Sequence, residues 1–560
     1  MALHRIVDSG LPPSEKAWAD TTQWSVQSSS SRTIKLVDAD GTFTVLHGIG
    51  FTFDGSGEPT GGRVLSLERI AADGTTILER LDFVNVSLPD LRTAFDAGGF
   101  VDTLLGGNDV VIGTDNSRFL TAETFQETFY TGAGNDIVFG GGGADVYIDG
   151  PGSDLYIGGR TSQNIDFIYD AIDYSGSPYA INVLLTGGIG SFGSHVTFDG
   201  SSDVDTLVNF ETLRGSTQAD EFTVTASFVN KEGTGRNWIN GGAGNDVIHG
   251  NGETVLYFFG PGPNRVADSV YVNLGLGVAH SLNGAPEDDL ANIGIDTFTG
   301  VNAVSGSRFD DVLIGSDSAR AETFDGGKGN DYIDGGGGAH DRYQIETPPF
   351  GITVDISSPV GFMRLVSDEG VETDTLVNIE EISATEFDDD ITLSNVDNVA
   401  IGENGNDVIR GLAGNDTLIG DQGHGFIGTT PGDDTLIGGL GKDTMTGNEG
   451  HDTFVFESIL DTGKTRSTRD VITDITRGED LVDLAAVDAN VLMDGDQAFS
   501  WRGERGFSGS AGELRFVREN NPGSANDRTI VEGDVNGDRI ADFQIELAGL
   551  HRLTDHDFLL

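Results

Sequence analysis

Residues 402–455 read GENGNDVIR, GLAGNDTLI, GDQGHGFIG, TTPGDDTLI, GGLGKDTMT and GNEGHDTFV, six nine-residue segments in unbroken register. Their sixth positions are Asp407, Asp416, Gly425, Asp434, Asp443 and Asp452, so the register survives the one copy that lacks aspartate. Upstream, residues 131–157 read TGAGNDIVF, GGGGADVYI and DGPGSDLYI. They place Asp136, Asp145 and Asp154 in the sixth position and Val138, Tyr147 and Tyr156 in the eighth. A single GxGND is an ordinary turn, but nine copies in two locked runs specify a repeat architecture.

The residue types carry a mechanism. Glycines permit the positive φ angles and close backbone approach of a tight turn. The apolar eighth position suits a very short strand whose side chain points into a narrow core. Calcium takes six to eight oxygen ligands, which turn carbonyls and carboxylates supply. With two nonapeptides per coil, stacked turns lie eighteen residues apart. Sites are then expected to join Asp136 with Asp154, Asp416 with Asp434, and Asp434 with Asp452. Gly425 is expected to weaken the two sites that would pair it with Asp407 and Asp443. Isolated copies GGAGNDVIH and GGKGNDYID add Asp246 and Asp331 as ligands. Asp311 lacks the glycines and Asp341 follows an extra residue, so neither is counted.

This nonapeptide resembles the G-G-x-G-x-D-x-U-x repeat of RTX (hemolysin-type) calcium-binding proteins. The expected fold is all-β, a parallel β-roll or β-solenoid with β-rich insertions. Between the runs, three β-rich units recur at about 173–224, 267–315 and 349–394, carrying DTLVN at Asp205, DTFTG at Asp296 and DTLVN at Asp374. Their acidic residues are expected to face solvent. The solenoid is assigned to 106–450.

Composition agrees. Of 560 residues, 82 are glycine, and 90 acidic residues against 32 Lys and Arg leave a net charge of −58. That excludes a general nucleic-acid binder, which needs a basic face, and disfavours docking on anionic membranes. A chain so acidic repels itself unless cations intervene. Yet 37% of residues are hydrophobic, so folding conditional on bound divalent cations is expected. There is no cysteine, hence no disulfide framework. No run of 18 apolar residues suggests membrane insertion, and the N-terminal sequence has no apolar core of a secretory signal.

Residues 1–33 read as a flexible, Ser-rich tail and 34–105 as a small β module, with a short helix at 89–95. A cell-surface or glycan partner is one reading of that module. At the other end, HDTFVFESILDT, RDVITDITRGEDLVDLAAVDAN, AGELRFV and GDVNGDRIADFQIELAGLHRLTDHDFLL span 451–560. This stretch resembles the C-terminal domain of serralysins, secreted bacterial zinc proteases. The resemblance implies an extracellular Gram-negative protein exported without a signal peptide by a type I (ABC) secretion apparatus. Asp557, Phe558, Leu559 and Leu560 match the family's acidic-then-apolar ending. GDVNGDRIADF resembles a calcium loop, but Ile545 stands where an EF-hand needs a bidentate Glu counted from Asp534, so a structural turn is expected.

The protease does not come with the resemblance. None of the ten histidines forms HExxH, and no GxSxG or P-loop occurs. The expected function is a secreted protein that folds on Ca2+ after export, with a non-catalytic surface or matrix role. The alternative is an extracellular enzyme acting on polysaccharide or another polymer through an unrecognised site.

Overall fold

Positions seven to nine of a nonapeptide form a three-residue strand whose middle side chain is buried. Val146–Ile148, Leu155–Ile157, Val408–Arg410, Thr435–Ile437, Thr444–Thr446 and Thr453–Val455 all alternate half-buried, buried, half-buried. That is the strand period of two, with one apolar residue per strand committed to the core. The computed structural model describes seven strands before residue 128. From there to Leu560 it describes all residues except 132, 134, 140–144, 159–169, 189, 231–232, 259–268, 283–292, 339, 346–349, 368–369, 423–431 and 521–526. The helix expected at 89–95 lies outside the described residues.

Two units make up the chain, Met1–Ala267 with Gly277–Val301, and Asp268–Leu276 with Asn302–Leu560. In the first, Ser25–Ser29, Thr33–Val37, Phe43–Phe53, Pro59–Ile70 and Ile77–Ser87 form an antiparallel meander. Leu3–Ile6 pairs antiparallel with Ile77–Ser87 and parallel with Val110–Ile112. Two strands thus fall within 1–33, where a flexible tail is expected from the Ser-rich sequence; main-chain pairing there does not require apolar side chains. Val110–Ile112 continues in parallel to Ile137–Phe139 and then Leu155–Ile157, which begins the coils.

In the second unit the coils stack their buried positions in two columns. Ile391, Ile409, Leu436, Phe454 and Val482 are successive register partners, as are Ile382, Ala400, Leu418, Met445 and Ile472. All ten are fully buried. Full burial of a Leu, Ile, Val, Phe or Met side chain contributes about 1.5–3 kcal/mol.

The β-rich units are antiparallel insertions into coils. Ile181–Leu185, Ser194–Phe198 and Val204–Val208 form one meander, and Ile352–Asp355, Gly361–Ser367 and Gly370–Val377 another. Their last strands rejoin the parallel ladder beside Leu155–Ile157 and Tyr332–Gly336 respectively. The C-terminal hairpin strands Glu513–Glu519, Arg528–Asp534 and Phe543–Ala548 are antiparallel. Phe543–Ala548 pairs in parallel with Val471–Ile472, and Phe558–Leu559 with Leu481–Asp483. The last residues therefore continue one of the two core columns.

Candidate metal sites

The sixth-position aspartates form ladders along the coils. The backbone N–H of Asp136 donates to Oδ1 of Asp154 at 2.7 Å, and that of Asp220 to Oδ1 of Asp246 at 2.8 Å. In the second unit one ladder runs from Asp389 through Asp407, Asp434 and Asp452 to Asp480. Another runs from Asn398 through Asp416 and Asp443 to Asp470. Each carboxylate spends one oxygen on its neighbour's amide. The other oxygen, Oδ2, of Asp246, Asp331, Asp407, Asp416, Asp434, Asp443, Asp452 and Asp470 is buried and accepts no hydrogen bond among the described residues.

Such an oxygen is costly unless a cation or proton meets it. Its surroundings suit a hard cation. A Cβ added to Gly411 would collide with both Asp416 Oδ2 and the carbonyl oxygen of Gly438 in the next coil. A carboxylate and a turn carbonyl thus converge where the glycine leaves room, which is the oxygen donor set calcium takes. The residues fit the ion, and Asp416, Asp443 and their counterparts would hold it.

Not every expected pair forms. Asp136 meets Asp154, and Asp434 meets Asp452, each eighteen residues on. Asp416 meets Asp443 instead of Asp434, and Asp407 meets Asp434, each twenty-seven residues on. The coil therefore takes three nonapeptides across the copy containing Gly425, and residues 423–431 lie outside the described set. Neither Asp407 nor Asp443 is left beside a glycine, so the weakening expected of Gly425 does not follow from this register. Asp145 pairs with Asp170, twenty-five residues on.

The expectation that acidic residues of the β-rich units face solvent is corrected. Asp205, Asp296 and Asp374 are 0%, 3% and 2% exposed. They accept the amides of Asp154, Asp246 and Asp331 and so take the ladder position. Asp220, Asp311 and Asp389 are ladder members too. So is Asp341, whose Oδ1 accepts the Glu322 amide. The DT(L/F) tripeptide at the end of each insertion is the available sequence signal. Asp470 and Asp480 extend the ladders past the last glycine turns.

A second ladder explains the residue before each aspartate. The amide of Asp433 donates to Asn406 Oδ1 at 2.7 Å, and that of Lys442 to Asn415 Oδ1 at 3.1 Å. Here the later coil donates to the earlier, the reverse of the aspartate ladder. Asn-Asp pairs therefore zip adjacent coils from both directions, one partner exposed and one buried. At two of the three insertions a tyrosine hydroxyl occupies the open position. The Tyr174 hydroxyl donates to Asp205 Oδ2 at 3.2 Å and the Tyr343 hydroxyl to Asp374 Oδ2 at 2.6 Å. Tyr343→Phe should strand a buried carboxylate oxygen and cost about 1–3 kcal/mol. A thermal unfolding midpoint unchanged from wild type would exclude that role for the hydroxyl.

Burial is the main cause of raised carboxyl pKa values along the ladders. Asp416 is pushed up to about 7, Asp434 to about 8 and Asp246 to about 9, the last also by Asp296. Near the first run, single oxygens of Asp149, Asp154 and Asp205 lie within 4.8 Å of one another. Asp149 occupies a first position that is glycine in most copies. The Tyr156 hydroxyl lies 2.8 Å from Asp149 Oδ1 and 3.0 Å from Asp154 Oδ2. GDVNGDRIADF forms a closed turn, in which Asp534 accepts the amides of Gly537 and Arg539 and Asp542 accepts that of Val535.

The family described as Peptidase M10 serralysin C terminal matches residues 381–560. The RTX calcium-binding nonapeptide repeat (4 copies) matches 123–156, 233–253 and 318–339. No curated protein matches the chain. Among solved structures, two subunits of the Azotobacter vinelandii mannuronan C5-epimerase are similar. AlgE6R3 is 22% identical over 31% of this chain and 78% of its own, with a TM-score of 0.17. AlgE6R2 is 20% identical over 32% and 92%, with a TM-score of 0.17. The extracellular lipase LipA from Serratia marcescens is 12% identical, over 61% of this chain and 45% of the lipase, with a TM-score of 0.20.

Proposed function

We propose that this chain, which carries RTX calcium-binding nonapeptide repeats and a serralysin C-terminal region, leaves the cell unfolded and folds outside as calcium fills its turns. Its role there is that of a non-catalytic surface or matrix protein. The observation that carries this reading is the row of buried Oδ2 atoms, each without a hydrogen-bond partner among the described residues. In the calcium-poor cytosol these carboxylates repel one another and oppose coil stacking. Outside, calcium at the 10⁻⁴–10⁻³ M affinities of extracellular modules supplies the missing partner. The sites do not exist in the unfolded chain, so binding energy becomes folding energy. Coupling between neighbouring coils makes the transition cooperative.

The C-terminal strand supports the order of events. Phe558 is 7% exposed and Phe558–Leu559 is paired with Leu481–Asp483. A type I exporter that reads this ending must do so before the strand docks. The test is far-UV circular dichroism of the full chain in calcium and in excess chelator. Calcium-dependent gain of β signal is expected, and β content unchanged by chelation would overturn the reading.

A further inference from the structure

The turns are of two kinds, distinguished by their second residue. In six fully described glycine turns, 241–246, 326–331, 402–407, 411–416, 438–443 and 447–452, that residue has positive φ. The values are 92° for Gly242, 85° for Gly327, 77° for Glu403, 67° for Leu412, 86° for Gly439 and 73° for Asn448. In the same six turns the aspartate Oδ2 is buried and accepts no hydrogen bond among the described residues. Glutamate and leucine pay a steric penalty in this conformation, which persists only where the surroundings impose it.

In the other kind the second residue is Ser or Thr with φ outside the positive region, and the turn closes on itself. The Ser216 amide donates to Asp220 Oδ2 at 2.6 Å, and the Thr385 amide to Asp389 Oδ2 at 2.8 Å. The Ser307 amide donates to Asp311 Oδ2 in the same way. The hydroxyls of Ser216 and Ser307 reach Oδ1 of Asp220 and Asp311, both at 2.8 Å. The fourth position, glycine in the open turns, is Gln218, Phe309 and Phe387 here. The buried carboxylate is equally deep in both kinds, with Asp311 and Asp331 1% and 2% exposed. Depth therefore does not distinguish them; the partner of Oδ2 does.

We propose that the second residue of each turn determines its ion occupancy. A left-handed residue there leaves Oδ2 for calcium, whereas Ser or Thr turns its own amide and hydroxyl onto the carboxylate and takes the ion's place. The proposal rests on the calcium reading above. It assigns Asp220, Asp311 and Asp389 as ion-free turns that start ladders whose next members, Asp246, Asp331 and Asp407, are loaded. It makes a Ser/Thr followed four residues later by Asp a built-in end cap for a calcium run.

The test exchanges the two kinds in the full chain and counts bound calcium by equilibrium dialysis and elemental analysis. S307G/F309G opens the turn before Asp311, where a Cβ at Gly306 would already meet both Asp311 Oδ2 and the Gly326 carbonyl. It should gain about one ion per chain. G327S/G329F closes the turn before Asp331 and should lose about one. T385G/F387G repeats the gain at an independent turn, and circular dichroism in calcium confirms which variants fold. Unchanged counts in folded variants of a calcium-binding wild type overturn the turn rule. A wild type that binds no calcium instead overturns the reading beneath it.

Discussion

Asp416→Ala should lower the stability of the calcium-loaded protein by about 4–6 kcal/mol, while the neighbouring Asn415→Ala costs about 0.5–1.5 kcal/mol. Asp416 does two things at once. Its Oδ1 accepts the Asn398 amide at 2.8 Å, and its Oδ2 faces the Gly438 carbonyl across the space left by Gly411. Losing the acceptor strands a buried amide, at about 1–3 kcal/mol. Losing an ion present at a hundred times its Kd removes about 2.7 kcal/mol more. Asn415 also accepts an amide, that of Lys442 at 3.1 Å, but at the exposed edge where water can replace it. Asp416→Asn separates the contributions, because the carboxamide keeps an Oδ1 acceptor and removes the anionic ligand. It should fall between the two in calcium and exceed wild type in calcium-free buffer, where the buried charge is a cost. Thermal unfolding midpoints in both buffers read all three. Equal losses for Asp416→Ala and Asn415→Ala would reject the ladder as the source of stability.

The parts of this molecule that were legible in sequence are those that repeat. A nine-residue period fixes which aspartate and which apolar residue share a face, so the sequence alone places Asp407 with Ile409 and Asp452 with Phe454. Counting in nines cannot say how many nonapeptides close a coil. Hence a count in nines joins Asp416 to Asp434, although the copy with Gly425 adds a third nonapeptide and brings Asp443 to it. Asp205 and Asp374 were illegible for another reason. Their turns lack the glycine signature, and their partners, Tyr174 and Tyr343, lie thirty-one residues upstream, joined to them only by the fold. Solvent exposure was the natural expectation for acids in an insertion, and it failed because the last strand of each insertion returns to the ladder.

The pH dependence of stability should reverse its sign when calcium is removed. Burial, reinforced by Asp374 and Asp389 respectively, pushes Asp331 and Asp407 up to about 10. Burial and the neighbouring Asp443 push Asp470 up to about 9. The ordinary aspartate value is about 3.9. A carboxyl whose folded pKa is raised favours the fold while protonated. That stability is fully present below about pH 4 and is lost as pH climbs through the folded values, toward 9 and 10 for these three. In calcium-free buffer the midpoint of unfolding should therefore be higher at pH 5 than at pH 8. With calcium in excess the ion holds the same carboxylates ionised, and protons compete with it, so the midpoint should be higher at pH 8. General relief of the −58 net charge on acidification acts in the same direction in both buffers. It can steepen one curve and flatten the other, but it cannot by itself give them opposite slopes. Two curves of the same slope would mean that the buried oxygens are not where calcium and protons compete. Asp407→Asn supplies the residue-level control, since removing a group raised to about 10 should flatten the calcium-free curve over the whole range from about pH 4 to about pH 10.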